Sequence, residues 1–203
     1  MSLEQIIGFT VFSFIAAATP GSNNVLLTAA GVSVGLRKGM ITLWGIVFGF
    51  SVMIFVVSLS IGNILNYIIE YSKYIKFLGA ILLIWLAWQI AYAPTNMTRS
   101  SEDESTKQFS FNFINTALFH WVNPKAWIVV TSAITTYMVS ENSVLTQSIF
   151  FALIFLVTST LGCAPWLLLG TALSRFLKHP IRAKVFNISM AVLLIISVIP
   201  NII

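Results

Sequence analysis

The stretch "AAATPGSNNVLL", residues 16–27, decides how this chain is read. Apolar residues run up to it and resume after it. Between them stand Thr19, Pro20, Gly21, Ser22, Asn23 and Asn24, a poor set of helix formers. Proline removes a backbone donor and clashes with the preceding turn. In lipid no water repairs the carbonyls so freed. Irregular backbone at membrane depth survives only inside protein or beside a wet cavity. Either this stretch is a packed kink, or it lines a site.

The membrane setting follows from composition. Hydrophobic residues make up 58% of the 203, and charged residues only 8%, where a soluble domain carries about a quarter. Several apolar runs reach the ~18 residues that mark a bilayer span. Six spans are predicted: about 3–34 (broken near 19–24), 39–64, 74–93, 110–138, 144–173 and 184–202. The start resembles a signal peptide in its apolar run and its Ala16-Ala17-Ala18. It carries Glu4 and no basic residue, so an uncleaved first span is expected.

Charge orients the spans. Arg37 and Lys38, Arg99 and Lys107, then Arg175, Lys178, Arg182 and Lys184 fall on one side. Lys73 and Lys76 fall on the other. By the positive-inside rule both termini lie outside the cytoplasm. The net charge of +5 is spread over these loops rather than along a stripe, which argues against nucleic acid as a partner. Cys163 is the single cysteine and sits in an apolar run, so neither a disulfide framework nor a thiolate metal site is expected. No cofactor is implied.

The polar loop 94–108 separates residues 1–93 from 109–203, three spans in each half of one transmembrane transporter unit. An odd number per half inverts the second half relative to the first, as in inverted-repeat transporters. The expected fold is therefore all-α, two inverted three-helix repeats with the first helix of each broken. The second break is "VNPKAW", residues 122–127. Asn123 before Pro124 reads as an N-cap with proline at the first helical position. Thr19-Pro20 has the same form, with Ser22 and Asn23 as further caps.

A helix start offers bare N–H groups and partial positive charge. Two starts facing each other suit a carboxylate, and Lys125 adds a full charge. The amides of Asn23 and Asn24, with the carbonyls freed by Pro20, suit an ammonium. Together these groups suit an amino-acid zwitterion. The plainer alternatives are two packed kinks and an interface lysine that snorkels. His120, one turn before the second break, is either a packing residue or a proton carrier. No Asp or Glu lies deep in a span. Gly45 and Gly49 form a small-residue face for close helix packing. Gly162 to Pro165 mark a tight or kinked crossing.

These motifs carry a family resemblance. "TPGSNNVLL", "GLRKG", "LGAILLIWLAWQI" and "NPKAW", in this order and spacing, resemble the LysE/RhtB amino-acid exporters over essentially the whole chain. "LAWQIAYAPT" (86–95) and "LGCAPWLLLG" (161–170) are most similar to the cysteine/O-acetylserine exporter branch. The resemblance implies a six-span inner-membrane efflux protein driven by the proton motive force. Its substrate would be a small amino acid or derivative, of cysteine/O-acetylserine or homoserine/threonine type. It also implies a lipid bilayer as partner. Oligomeric state stays open, small exporters often forming homodimers. Two positions depart from the family: Ser22 stands where proline is common, and His120 where an amide is more usual.

Two other function classes would need residues of other kinds. A membrane enzyme needs a nucleophile–base pair or a metal cluster, and two histidines far apart with one cysteine supply neither. An exporter of a metal or other inorganic ion on a related six-span plan would want deep Asp, Glu, Met or Cys clusters.

Overall fold

The structure is a computed structural model. It describes residues 2–60, 112–139, 142–174 and 176–202, and single positions at 77, 81, 84, 85, 87, 88 and 90–92. Most of the third predicted span and the whole 94–108 loop lie outside these. So do Lys73, Lys76, Arg99, Lys107 and Arg175. Among the described residues the fold is all-helical, without strands.

Helix α1 spans Leu3–Ala18. Ser2 and Gln5 start it with a reciprocal capping box. Helix α2 spans Ser22–Leu59 but is not straight. Gly35 inside it has φ 74°, a left-handed backbone that glycine adopts without penalty. A straight helix would hold Asn24 and Ile46 about 33 Å apart, yet both line one cleft. The chain therefore turns back at Gly35. Ser22–Val34 completes the first predicted span, and Leu36–Leu59 is the second, about 36 Å long.

Helices α3, Phe113–Val122, and α4, Pro124–Tyr137, divide the fourth predicted span at Asn123. Helix α5, Val144–Leu173, has the bounds expected of the fifth span. A short 3-10 turn, Phe176–Lys178, leads to α6, Pro180–Ile202. By length and hydropathy, α2 and α5 are long and apolar enough to cross a bilayer.

Contacts give the relative directions. Phe9 packs on Phe151 at 4.5 Å between ring centroids. Further along, Gly162 meets Ala17 and Ala18, and Gly31 meets Leu167 and Thr171. Residue numbers climb together, so the first span and α5 run parallel. Gly8 and Phe9 meet Tyr137, whereas Gly21 meets Lys125. There the numbers fall as the others rise, so α1 and α4 are antiparallel. Gly45 faces Phe113 and Thr116, Gly49 faces Ala117, and Phe50 faces His120. Helix α3 thus runs alongside α2 rather than across its end.

Lipid tails are as apolar as leucine, so burial alone does not drive these helices together. Close backbone approach and polar bonds do. A Cβ on Gly49 would lie 2.5 Å from the Ala117 Cα, and one on Gly31 2.5 Å from the Leu167 carbonyl oxygen. The small-residue face read from Gly45 and Gly49 is therefore the α2–α3 seam. Two apolar clusters fill the interior. One gathers Leu26, Leu43, Val47, Cys163 and Leu167 around the α2 hairpin, joined by Ala87 and Ile90 of the third span. The other gathers Phe9, Phe50, Ile54, Val130 and Phe151. Ile7, Val11, Ile114, Leu118, Leu153 and Leu161 are exposed, an outward apolar face suited to lipid.

Candidate functional site

The cleft opens where the two clusters meet. Mouth included, it encloses about 440 Å3 not filled by atoms. Ile46 and Cys163 of one cluster and Phe50, Ala126 and Phe155 of the other form its apolar wall. Its polar wall brings together Thr19, Gly21, Ser22, Asn23, Asn24, Asn123 and Lys125, which are drawn from both breaks.

The second break repairs itself. Asn123 is extended (φ −86°, ψ 110°), and its Oδ1 accepts the Lys125 N–H at 3.1 Å. Pro124 follows at the first helical position, where no N–H is missed. The N-cap read from "NPK" is what forms. The Trp127 indole then donates to the Trp121 carbonyl at 2.9 Å, back across the break.

The first break is built differently from its expected form. Thr19-Pro20 does not start a helix. Thr19 instead ends α1, its N–H and hydroxyl both donating to the Ile15 carbonyl. Helix α2 begins at Ser22 after an extended Gly21, with no side-chain cap. The reason is spacing. Three residues of extended chain, Thr19 to Gly21, separate the two helices, whereas Asn123 alone separates α3 from α4. Thr19 is therefore too far from Ser22 to cap it.

Asn24 closes this gap from behind. It is buried, and its amide nitrogen donates to the Ala17 carbonyl at 3.0 Å and the Thr19 carbonyl at 2.8 Å. Its Oδ1 lies 3.7 Å from the Cys163 thiol. The Trp166 indole of α5 donates to the Ala18 carbonyl at 3.2 Å. Asn24 thus satisfies the end of α1, and its donors are already engaged.

The two breaks touch. Asn123 Nδ2 donates to Ser22 Oγ at 2.8 Å in a buried bond. The Lys125 ammonium reaches across to the Thr19 carbonyl at 3.1 Å and the Pro20 carbonyl at 3.4 Å. Thr19 and Pro20 are themselves exposed, so this ammonium sits at the mouth. A Cβ on Gly21 would lie 2.8 Å from it. Asn23 completes the wall. Its Oδ1 is enclosed and accepts no hydrogen bond among the described residues. An unpaired buried amide oxygen is costly, and this one lies in the cleft.

His120 and Pro124 are buried but do not line the cleft. Phe50 stands between His120 and the open space, its ring 5.0 Å away and edge-on. The Ile46 backbone is the polar group near the imidazole. Neither ring nitrogen completes a hydrogen bond among the described residues. Among those residues, no three of His, Cys, Asp and Glu gather to hold a metal ion.

Sequence reasoning missed α5's share of the wall: Phe155, Ser159 and Cys163, spaced by four along one face. The i, i+4 spacing of Ser159 and Cys163 in an otherwise apolar run was the available signal.

Comparison with known proteins identifies the family. The family model "LysE type translocator" matches residues 14–198. This chain is a LysE-type translocator. Among curated proteins it is similar to the "Cysteine/O-acetylserine efflux protein" of Salmonella typhimurium, 27% identical over 190 residues and 92% of each chain. The protein of the same name from Escherichia coli O1:K1 is 27% identical over 198 residues and 96% of each chain. No solved structure matches.

Proposed function

We propose that this translocator exports a small neutral amino acid or derivative across the inner membrane. The substrate would be of cysteine/O-acetylserine or homoserine/threonine type. The observation that carries this is the pairing inside one cleft. Lys125 is a cation placed to meet a carboxylate. The Thr19 and Pro20 carbonyls and the bare Asn23 Oδ1 are acceptors suited to an ammonium. A zwitterion needs both. The described wall holds no Asp or Glu, so a cationic side chain would lack a counter-charge. The names of the relatives point the same way.

Lys125 now occupies the carbonyls that a substrate ammonium would take. On binding, the substrate's ammonium replaces it there, and the released Lys125 takes the carboxylate. No hydrogen bond is lost in this exchange. One of the contacts that bridge the two breaks is thus opened by substrate itself, which suits alternating access.

Six spans in two inverted halves, with both termini outside the cytoplasm, remain the reading that best accommodates the antiparallel α1 and α4 and their breaks at one level. His120, sealed behind Phe50, is the candidate for carrying a coupling proton.

The test is efflux from cells loaded with dipeptides. Expression should raise external levels of small neutral amino acids. Lys125→Met should lower that efflux about tenfold or more, the value of one charge-assisted bond. Full efflux by Lys125→Met sinks the site. In membrane vesicles under an imposed pH gradient, His120→Gln should flatten the pH dependence. An unchanged profile removes His120 from coupling.

A further inference from the structure

Helix α5 contributes to the cleft a hydroxyl that has no hydrogen-bond partner among the described residues. Ser159 is 3% exposed. Its neighbours Thr158 and Thr160 both donate to the carbonyl four residues back, Ile154 at 2.9 Å and Leu156 at 2.7 Å. Such back-bonding is how a helix hides a hydroxyl in an apolar setting. The buried hydroxyls of Ser13, Thr28, Ser51, Ser58, Thr116, Ser148 and Thr158 are all spent on a carbonyl three or four residues back. Ser159 forms no hydrogen bond among the described residues, and it lines the cleft.

Its surroundings limit what it can meet. Phe155, one turn earlier, also lines the cleft and stacks on Phe50 with centroids 4.5 Å apart and planes 15° apart. This stack walls the apolar side. Cys163 lies about 6 Å further along the same face and is engaged with the first break through Asn24 and Ala17. The charged ends of a zwitterion have their partners in Lys125, Asn23 and the freed carbonyls. Ser159 is left for the side chain.

We infer that Ser159 is a specificity-determining residue, whose hydroxyl bonds a polar atom at the γ position of the substrate side chain. The hydroxyl donates to or accepts from an oxygen or sulfur there. A methyl group in that place leaves the hydroxyl unpaired in a dry wall, and this selects against aliphatic amino acids of equal shape. The inference rests on the amino-acid reading of the cleft.

The test uses the full-length chain, purified and reconstituted in liposomes. Labelled threonine is the transported probe. Unlabelled competitors come in matched pairs, threonine with valine and cysteine with 2-aminobutyrate. Within each pair a hydroxyl or thiol is exchanged for a methyl. The wild type should favour the polar member about tenfold, the value of a bond to a group otherwise left unpaired. In Ser159→Ala the preference should fall to about twofold or less, with valine competing better than before. Thr158→Ala, which removes a hydroxyl already committed to Ile154, should leave the preference unchanged. An undiminished preference in Ser159→Ala, or an equal fall in Thr158→Ala, overturns the inference while leaving the cleft's amino-acid reading intact. If no amino acid competes even with the wild type, that reading fails and the role of Ser159 fails with it.

Discussion

The two breaks look alike in sequence and are held by opposite means. The break at Asn123 is mended within its own neighbourhood. Asn123 caps the Lys125 N–H, and Trp127 bonds Trp121, six residues away. The break at Thr19–Gly21 is mended partly from a distance. Trp166 reaches Ala18 from 148 positions along the chain, and Lys125 reaches Thr19 from 106. Asn24 and Thr19 itself serve it locally. The difference teaches which side can move. A break that caps itself keeps its shape wherever it goes. A break completed by other helices keeps its shape only while those helices stay. The first break is therefore the conformationally responsive one, and Lys125 is the contact through which the second break reports on it.

The largest effect separating the two should come from Asn24→Ala. It removes the amide donor from the Ala17 and Thr19 carbonyls; Thr19 keeps the Lys125 ammonium, whereas Ala17 is left with only a weak thiol contact. An unsatisfied carbonyl away from water is costly. A loss of about 2–3 kcal/mol is expected, read as a lower melting temperature in detergent. A change below about 0.5 kcal/mol would mean that the first break does not depend on this side chain.

Asn123→Ala should cost less, about 2 kcal/mol, from the N-cap and the buried bond to Ser22 at about 1 kcal/mol each. Pro124 is undisturbed and Trp127 still bridges. Asn123→Ser keeps a capping oxygen but is too short to reach Ser22. Serine should therefore recover the cap's share of the stability and not the link between breaks. A double-mutant cycle with Ser22→Ala isolates that link. Ser22→Ala should cost about 1 kcal/mol when Asn123 is present and near zero in the Asn123→Ser background, and the difference is the coupling. Equal cost in both would show that the buried Asn123–Ser22 bond does not join the breaks.

Much of this was legible in the residues, and the limits have physical causes. Proline and asparagine announce broken helices because their backbone effects are local. That is why both breaks, the Asn123 cap and the bounds of α5 could be read directly. Gly45 and Gly49 likewise announce close packing, though not that α3 is the partner. What was misread at Thr19 turned on the two extra residues of extended chain, which convert a helix start into a helix end. What was missed at Ser159 turned on helix rotation. Helix α5 carries Thr158, Ser159 and Thr160 on different sides, and only the Ser159–Cys163 spacing hinted at which one turns inward. Thr158, Ser159 and Thr160 are equally polar on the page. Only packing against α1 and α2 distinguishes the one that meets the cleft. Lys125 reads in the sequence as a charge for a carboxylate or as an interface lysine, and its reach to the Thr19 and Pro20 carbonyls was not legible there.

The smallest effect on stability, and the sharpest on the comparison, should come from Gly21→Ala. Gly21 is extended, with φ 179° and ψ −175°, a backbone that alanine adopts without strain. The added Cβ would sit 2.8 Å from Lys125 Nζ and 3.2 Å from its Cδ. Both are parts of a flexible side chain, so the lysine yields and the backbone stays. Stability should change by less than about 0.5 kcal/mol. The ammonium, displaced from the Thr19 and Pro20 carbonyls, no longer ties the second break to the first. Transport should then fall severalfold with an unchanged melting temperature. If transport is untouched while the lysine is crowded aside, its seat on those carbonyls is incidental. If stability falls instead, Gly21 serves the fold rather than the passage between breaks.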